Sequence, residues 1–193
     1  VALITTPIVK SLARKWGAVD VPKDGRRMHD HPIPRMGGLA IFLGFRLSVI
    51  LFIPFVQPDG LGFQLKGMLL GAVIIVVLGI LDDIYALPAL PKLIVQIVAA
   101  VIAVWSGNVI ETISNPNIFS NDLYWELGWL SIPVTVIWIV AVTNAVNLID
   151  GLDGLACGVS TISSMTVLVI ALTVAEPTVA VLMACLAGGC IGF

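Results

Sequence analysis

Charge is what this chain has least of. Asp, Glu, Lys and Arg make up 11% of its 193 residues, against about a quarter in an ordinary soluble domain. That scarcity excludes a water-soluble globule, whose surface needs charge to stay in solution. Cysteine is scarce as well. Cys157, Cys185 and Cys190 lie in apolar stretches with no histidine at ligand-like spacing, so they read as small packing residues, and no disulfide is inferred. The two histidines, His29 and His31, have no partner histidine or cysteine for zinc. No nucleic-acid partner is expected. What is abundant is apolar sequence: 59% of the chain, with a mean hydropathy of +1.06. The protein is expected to be integral to a membrane.

The apolar runs predict an all-α, polytopic membrane helix bundle with about seven spans. Residues 1–9 read as the end of one span, followed by a polar loop over 10–35. Further spans are expected over 37–56, 67–81, 90–105, 132–146, 155–174 and 177–193. Pro58, Asp59 and Gly60 mark a turn. Residues 106–130, with four asparagines and three acids, suggest short extended pieces rather than a helix. The chain opens in what looks like a helix tail and stops inside an apolar run. It is therefore expected to be a fragment of a longer protein, forming a single integral-membrane domain over 1–193 that is C-terminally incomplete.

Basic residues orient the spans. Lys10, Arg14, Lys15, Lys23, Arg26, Arg27 and Arg35 crowd the first loop, and residues 106–130 carry none. The first loop is thus expected to be cytoplasmic and the 106–130 segment external. Alternation then puts Asp82-Asp83, Lys92 and 147–153 on the cytoplasmic side too. Arg46, inside a span, either snorkels to the headgroups or pairs with a carboxylate.

Three segments carry chemistry. Asp82 and Asp83 close an apolar run, and a charge in hydrocarbon costs about 2.5–3.5 kcal/mol even on the lenient insertion scale, so such residues usually mark a working site. Magnesium takes oxygen ligands, keeps several waters and needs only one or two protein carboxylates plus substrate phosphates. The plain alternative is a pair of acids that caps the span in water. Asn144, Asn147, Asp150 and Asp153 form a second cluster, with Gly151 and Gly154 allowing sharp turns. Such amides and carboxylates bind a metal, hydrogen-bond a base or ribose, or act as a general base; the alternative is an ordinary Asn-Asp-Gly turn. The third segment runs from Arg26 through His29 and Arg35 to Gly37 and Gly38. Guanidinium groups match phosphate oxygens, and glycines at a span's start let backbone amides approach an anion; attraction to anionic headgroups is the competing reading. Lys92 and Gln96 stand one helical turn apart, Lys92 either contacting a phosphate or anchoring its span.

Taken together, Arg27-Met-His29, Pro32-Ile-Pro34-Arg35-Met-Gly37-Gly38, Gly79-Ile-Leu-Asp82-Asp83 with Lys92 and Gln96, and Asn144-Ala-Val-Asn147-Leu-Ile-Asp150-Gly-Leu-Asp153-Gly resemble the polyprenyl-phosphate N-acetylhexosamine-1-phosphate transferases. Pro-Arg-Met-Gly-Gly looks more like the teichoic-acid and O-antigen branch than the peptidoglycan branch. The resemblance implies transfer of N-acetylhexosamine 1-phosphate, GlcNAc-1-phosphate first among them, from a UDP-sugar to undecaprenyl phosphate with release of UMP. It implies a multi-pass protein of roughly ten or eleven spans in the bacterial plasma membrane, with its site on the cytoplasmic face. Asp82 and Asp83 correspond to residues tied to Mg²⁺ (Mn²⁺ as a substitute) and to activating the lipid phosphate. Asn147, Asp150 and Asp153 correspond to residues tied to the nucleotide-sugar and to catalysis. Asn144, Arg35, Gly37, Gly38, His29 and Lys92 are the expected substrate-binding residues. The family's further aspartate segment and histidine-rich loop have no counterpart here, so the fragment alone is expected to be inactive. The oligomeric state stays open, with a homodimer as the candidate.

Two rivals remain on residues alone. An aspartate-rich intramembrane prenyltransferase would use Asn147, Asp150 and Asp153, but Asp82-Asp83 does not supply its second motif. A carboxylate-based transporter would place acids near the midplane within an inverted repeat, and neither is visible.

Overall fold

The computed structural model describes all residues except 21–32, 35, 117–121 and 153. Among them are seven α-helices: α1 (Ala2–Trp16), α2 (Gly37–Phe52), α3 (Phe63–Tyr85), α4 (Ala89–Trp105), α5 (Ser131–Ile149), α6 (Leu155–Thr173) and α7 (Pro177–Ile191). Four helical stretches are long and apolar enough to cross a bilayer: Gly37–Phe55, Phe63–Tyr85, Gly128–Ile149 and Leu155–Thr173. At 1.5 Å per residue α3 is roughly 35 Å long, more than the ~30 Å hydrocarbon core. Large side chains such as Leu51, Ile97, Ile137 and Ile162 are exposed, as lipid-facing residues are. The chain is an all-α membrane protein.

Its contacts divide into two compact units. The first comprises Val1–Leu61, Val76–Pro88 and Ile149–Phe193. Small residues let its helices meet at backbone distance. A methyl group on Gly44 would lie 3.0 Å from Cβ of Ala2, and one on Gly189 would lie 3.3 Å from the Ile41 carbonyl oxygen. Thr5 Oγ1 reaches the carbonyls of Ala2 (3.1 Å) and Ala40 (3.4 Å), so α1 and α2 also share a hydroxyl. Val9, Ala13, Ala18, Met36 and Ala40 form a buried cluster, with Leu39, Ile80 and Ile84 packed against it. Two short strands, β1 (Val19–Asp20) and β2 (Ile33–Pro34), pair antiparallel. Gln57 Nε2 donates to Thr178 Oγ1 at 3.1 Å.

The second unit comprises Gly62–Ile75 and Ala89–Leu148. Gly67 lies against the Ser106 side chain, and a methyl on Gly71 would come within 3.0 Å of the Ala99 carbonyl oxygen. At the end of α4 the Asn108 amide donates to the carbonyls of Gln64 and Ala103, both at 3.0 Å. The 106–130 segment holds the expected extended pieces. Strands β3 (Thr112–Ser114) and β4 (Tyr124–Glu126) pair antiparallel, with Ile113 opposite Trp125. Buried Thr135 accepts from the Ile110 N–H at 2.9 Å and so ties the hairpin's approach to α5.

Three helices run past the boundaries that polarity suggests. α1 continues to Trp16, so Lys10, Arg14 and Lys15 belong to the helix rather than to the loop. α3 continues beyond Leu81 to Tyr85, and α5 beyond Val146 to Ile149. The physical reason is shared: backbone hydrogen bonding does not stop where hydrocarbon gives way to headgroups. α1 ends only at Gly17, whose φ of 75° closes the helix in the left-handed conformation. Arg46 is exposed on α2.

Candidate functional site

The last turn of α3 carries Asp82 and Asp83, both half-buried. Each is aimed by a backbone N–H. Asp82 Oδ1 accepts from Leu87 N–H at 3.0 Å, and the Asp82 carbonyl accepts from Ala86 N–H at 2.8 Å. Ala86 adopts φ 50°, and Pro88 cannot continue the ladder, so the helix stops where these bonds close it. Asp83 Oδ2 accepts from the Met36 N–H at 3.0 Å. Met36 is the N-cap of α2, in the left-handed region at φ 74°, and is buried.

Gly37 and Gly38 directly follow Met36 in the chain. They were expected to let backbone amides approach an anion, and they are indeed the first two residues of α2. The anion placed at that helix start is the chain's own Asp83, bound through the preceding residue. Gly37 itself faces the Phe193 ring, whose Cζ would lie 2.5 Å from a methyl there. Gly38 has nothing within 4 Å of the same position and stays open.

In the second unit, Lys92 lies in the first turn of α4, half-buried. One turn on, Gln96 is only 8% exposed. Its amide pairs with that of Asn144 on α5: Asn144 Nδ2 donates to Gln96 Oε1 at 2.8 Å, and Gln96 Nε2 donates to Asn144 Oδ1 at 3.4 Å. Asn144 Nδ2 also donates to the Val140 carbonyl at 2.8 Å. Asn147 is exposed in the last turn of α5.

Asp150 follows α5 and is exposed, and nothing crowds Gly151. Gly154 starts α6 at φ 78°, a conformation that favours glycine. Asp153, Arg35 and His29 lie outside the described residues. Residue chemistry did not single out Met36, and it marked Gln96 only as the neighbour of Lys92 one helical turn on. Met36 acts through its backbone, which leaves no trace in side-chain type. Gln96 had a signal: an amide inside an otherwise apolar run.

Asp82 and Asp83 fit a divalent cation of the magnesium kind. They are adjacent carboxylates at the end of a membrane helix, each with an oxygen oriented by a backbone N–H, and Mg²⁺ asks for no more than one or two protein carboxylates. Among the described residues no group of three histidine, cysteine or acidic side chains could hold a metal, so a cage built wholly from those side chains is not what these residues form.

The chain is 47% identical over 171 residues to a probable undecaprenyl-phosphate N-acetylglucosaminyl 1-phosphate transferase of Bacillus subtilis (strain 168), covering 89% of this chain and 45% of that protein. It is 33% identical to a decaprenyl-phosphate N-acetylglucosaminephosphotransferase of Mycobacterium leprae (strain TN), covering 100% and 51%. It is 30% identical to a phospho-N-acetylmuramoyl-pentapeptide-transferase of Moorella thermoacetica (strain ATCC 39073 / JCM 9320), covering 99% and 62%. The chain thus spans about half the length of the curated relatives it matches. The profile of glycosyl transferase family 4 matches residues 65–193, a stretch that begins before the paired aspartates of α3 and takes in the Asn-Asp cluster after α5, and to that family the chain belongs.

Proposed function

We propose that the protein transfers N-acetylglucosamine 1-phosphate from UDP-N-acetylglucosamine to undecaprenyl phosphate, releasing UMP, as the first membrane step of a cell-envelope polysaccharide. The observation that carries this reading is the pair Asp82 and Asp83. They sit at the end of a membrane-crossing helix, each with an oxygen held by a backbone N–H, in a chain whose similar proteins bear polyprenyl-phosphate sugar-phosphate transferase names. The proposed setting is the bacterial plasma membrane, and the basic first helix and loop beside the base-free 106–130 segment support a site on its cytoplasmic face.

Phosphoryl transfer depends mainly on positioning and charge neutralisation. Asp82 and Asp83 would hold Mg²⁺, which when bound would neutralise phosphate charge. The backbone bonds to Leu87 and Met36 fix where those two carboxylates point before any ligand arrives, so less ordering remains to be done on binding. Lys92, in the first turn of α4, supplies positive charge for a phosphate. Asn147 offers an exposed amide that both donates and accepts, suited to ribose or base. Asp150, exposed beside uncrowded Gly151, has room to accept a proton or a hydroxyl hydrogen bond from a sugar nucleotide. The lipid phosphate attacks the phosphorus that bears the sugar, and the bond from that phosphorus to the oxygen it shares with UMP breaks.

The test is UMP release by the full-length protein in detergent. Release that needs UDP-N-acetylglucosamine, undecaprenyl phosphate and Mg²⁺ together, and is lost in Asp83→Asn, supports the reading. Release without the lipid, or none from a well-folded preparation with several UDP-sugars, removes it.

A further inference from the structure

The Gln96–Asn144 pair occupies a position that the transfer chemistry leaves unexplained. It links α4 to α5 by two reciprocal amide hydrogen bonds, at 2.8 and 3.4 Å, within one compact unit. Gln96 is buried at 8% exposure, and a buried amide in a span must find a partner. Membrane interhelical hydrogen bonds contribute little net stability, and a matched apolar pair holds helices about as well. What an apolar pair lacks is direction. Two amides joined at both ends fix the rotation of each helix and its axial register.

That constraint acts beside the proposed substrate contacts. Lys92 precedes Gln96 by one turn of α4, and Asn147 follows Asn144 by one turn of α5. In the alternating topology expected from the sequence, α4 and α5 run in opposite directions, and both steps lead from the pair toward the same face of the membrane. Asn144 itself is poorly equipped to grip a phosphate. Both of its N–H donors are committed, to Gln96 and to the Val140 carbonyl, and phosphate oxygens need donors.

We propose that Gln96 and Asn144 are positioning residues: their amide clasp sets α5 against α4 so that Asn147 and Lys92 engage the same phosphate-bearing nucleotide. This rests on the transferase reading given above and deepens it by removing Asn144 from the substrate contacts and adding Gln96 to the residues the reaction needs.

The experiment uses full-length protein carrying Gln96→Leu, Asn144→Leu, both together, and the exchange Gln96→Asn with Asn144→Gln. Each is measured for kcat and KM with UDP-N-acetylglucosamine and for thermal unfolding in detergent. Misplacement of a contact by about 1 Å costs up to about 100-fold in rate, so each leucine variant is expected to lose roughly 10- to 100-fold in kcat with KM changed by less than about threefold. The exchange is expected to recover most of the lost kcat. Melting of the double leucine variant is expected to fall no further than that of the worse single one, as coupled residues behave. Wild-type kcat in Gln96→Leu overturns the proposal. So does an exchange variant that regains its melting temperature but not its kcat, which would make Asn144 a direct substrate contact. Should the wild type show no sugar-phosphate transfer, the transferase reading fails by itself; the melting cycle still decides the clasp, and additive losses overturn it.

Discussion

The Asp83 carboxylate accepts a hydrogen bond from the backbone N–H of Met36 at 3.0 Å. One bond therefore joins the end of α3 to the start of α2, two segments 47 positions apart in the chain. It also holds Met36 in the left-handed region at φ 74°, where a residue with a side chain is disfavoured by about 1–2 kcal/mol.

Asp83→Ala and Asp83→Asn separate the two duties of this carboxylate. The alanine leaves the Met36 N–H without its acceptor, costing about 1–3 kcal/mol for a buried donor. Asparagine keeps an oxygen to accept the bond and loses the charge. Thermal unfolding should show Ala well below wild type and Asn close to it, while both lose transfer activity. An Asn variant as unstable as Ala would contradict the capping role.

Ala86 closes α3 at φ 50° and is exposed. Glycine adopts that conformation freely, so Ala86→Gly is expected to stabilise the protein by up to about 1 kcal/mol. A lower melting temperature would show that the methyl group makes a contact of its own.

Two glycines of α3 should respond in opposite directions to alanine. At Gly67 the new methyl would overlap the side chain of Ser106, which is buried and donates to the Ala103 carbonyl at 2.7 Å; overpacking of this kind costs about 1–3 kcal/mol. At Gly79 nothing lies within 4 Å, and alanine's helix propensity favours it by up to about 1 kcal/mol. Equal unfolding temperatures for the two variants would refute the close approach at Gly67.

The β3–β4 hairpin supplies a test of orientation. Ser114 is exposed at the end of β3. In full-length protein with its native cysteines replaced, Ser114→Cys in intact cells should react with a membrane-impermeant thiol reagent. Labelling only after the cells are opened would invert the topology.

Much of this was readable in the residues, for identifiable reasons. The helices α2 to α7 follow from long apolar runs, though α4 and α7 are shorter than the four helices long enough to cross a bilayer, and the extended character of 112–114 and 124–126 follows from the absence of helical patterning. The ends of α1, α3 and α5 were misplaced because polarity changes at the headgroups, whereas helices end at a left-handed residue or a proline, as at Gly17 and Ala86-Leu87-Pro88. Asp82 and Asp83 stood out because charge is costly near hydrocarbon. That Asp83 would cap α2 was hidden, since the donor is a main-chain group present at every residue except proline. The partnership of Gln96 with Asn144 was half visible: each amide was conspicuous in an apolar run, but their pairing across 48 positions depends on how α4 and α5 pack.

The most direct test of the central claim follows a phosphorus atom. UDP-N-acetylglucosamine labelled with ³²P at the β-phosphate, next to the sugar, would be incubated with full-length protein, undecaprenyl phosphate and Mg²⁺, and the lipid and aqueous phases separated. Sugar-phosphate transfer predicts label in the lipid and unlabelled UMP in water. Label left in UDP, with sugar alone passing to the lipid, would contradict the account.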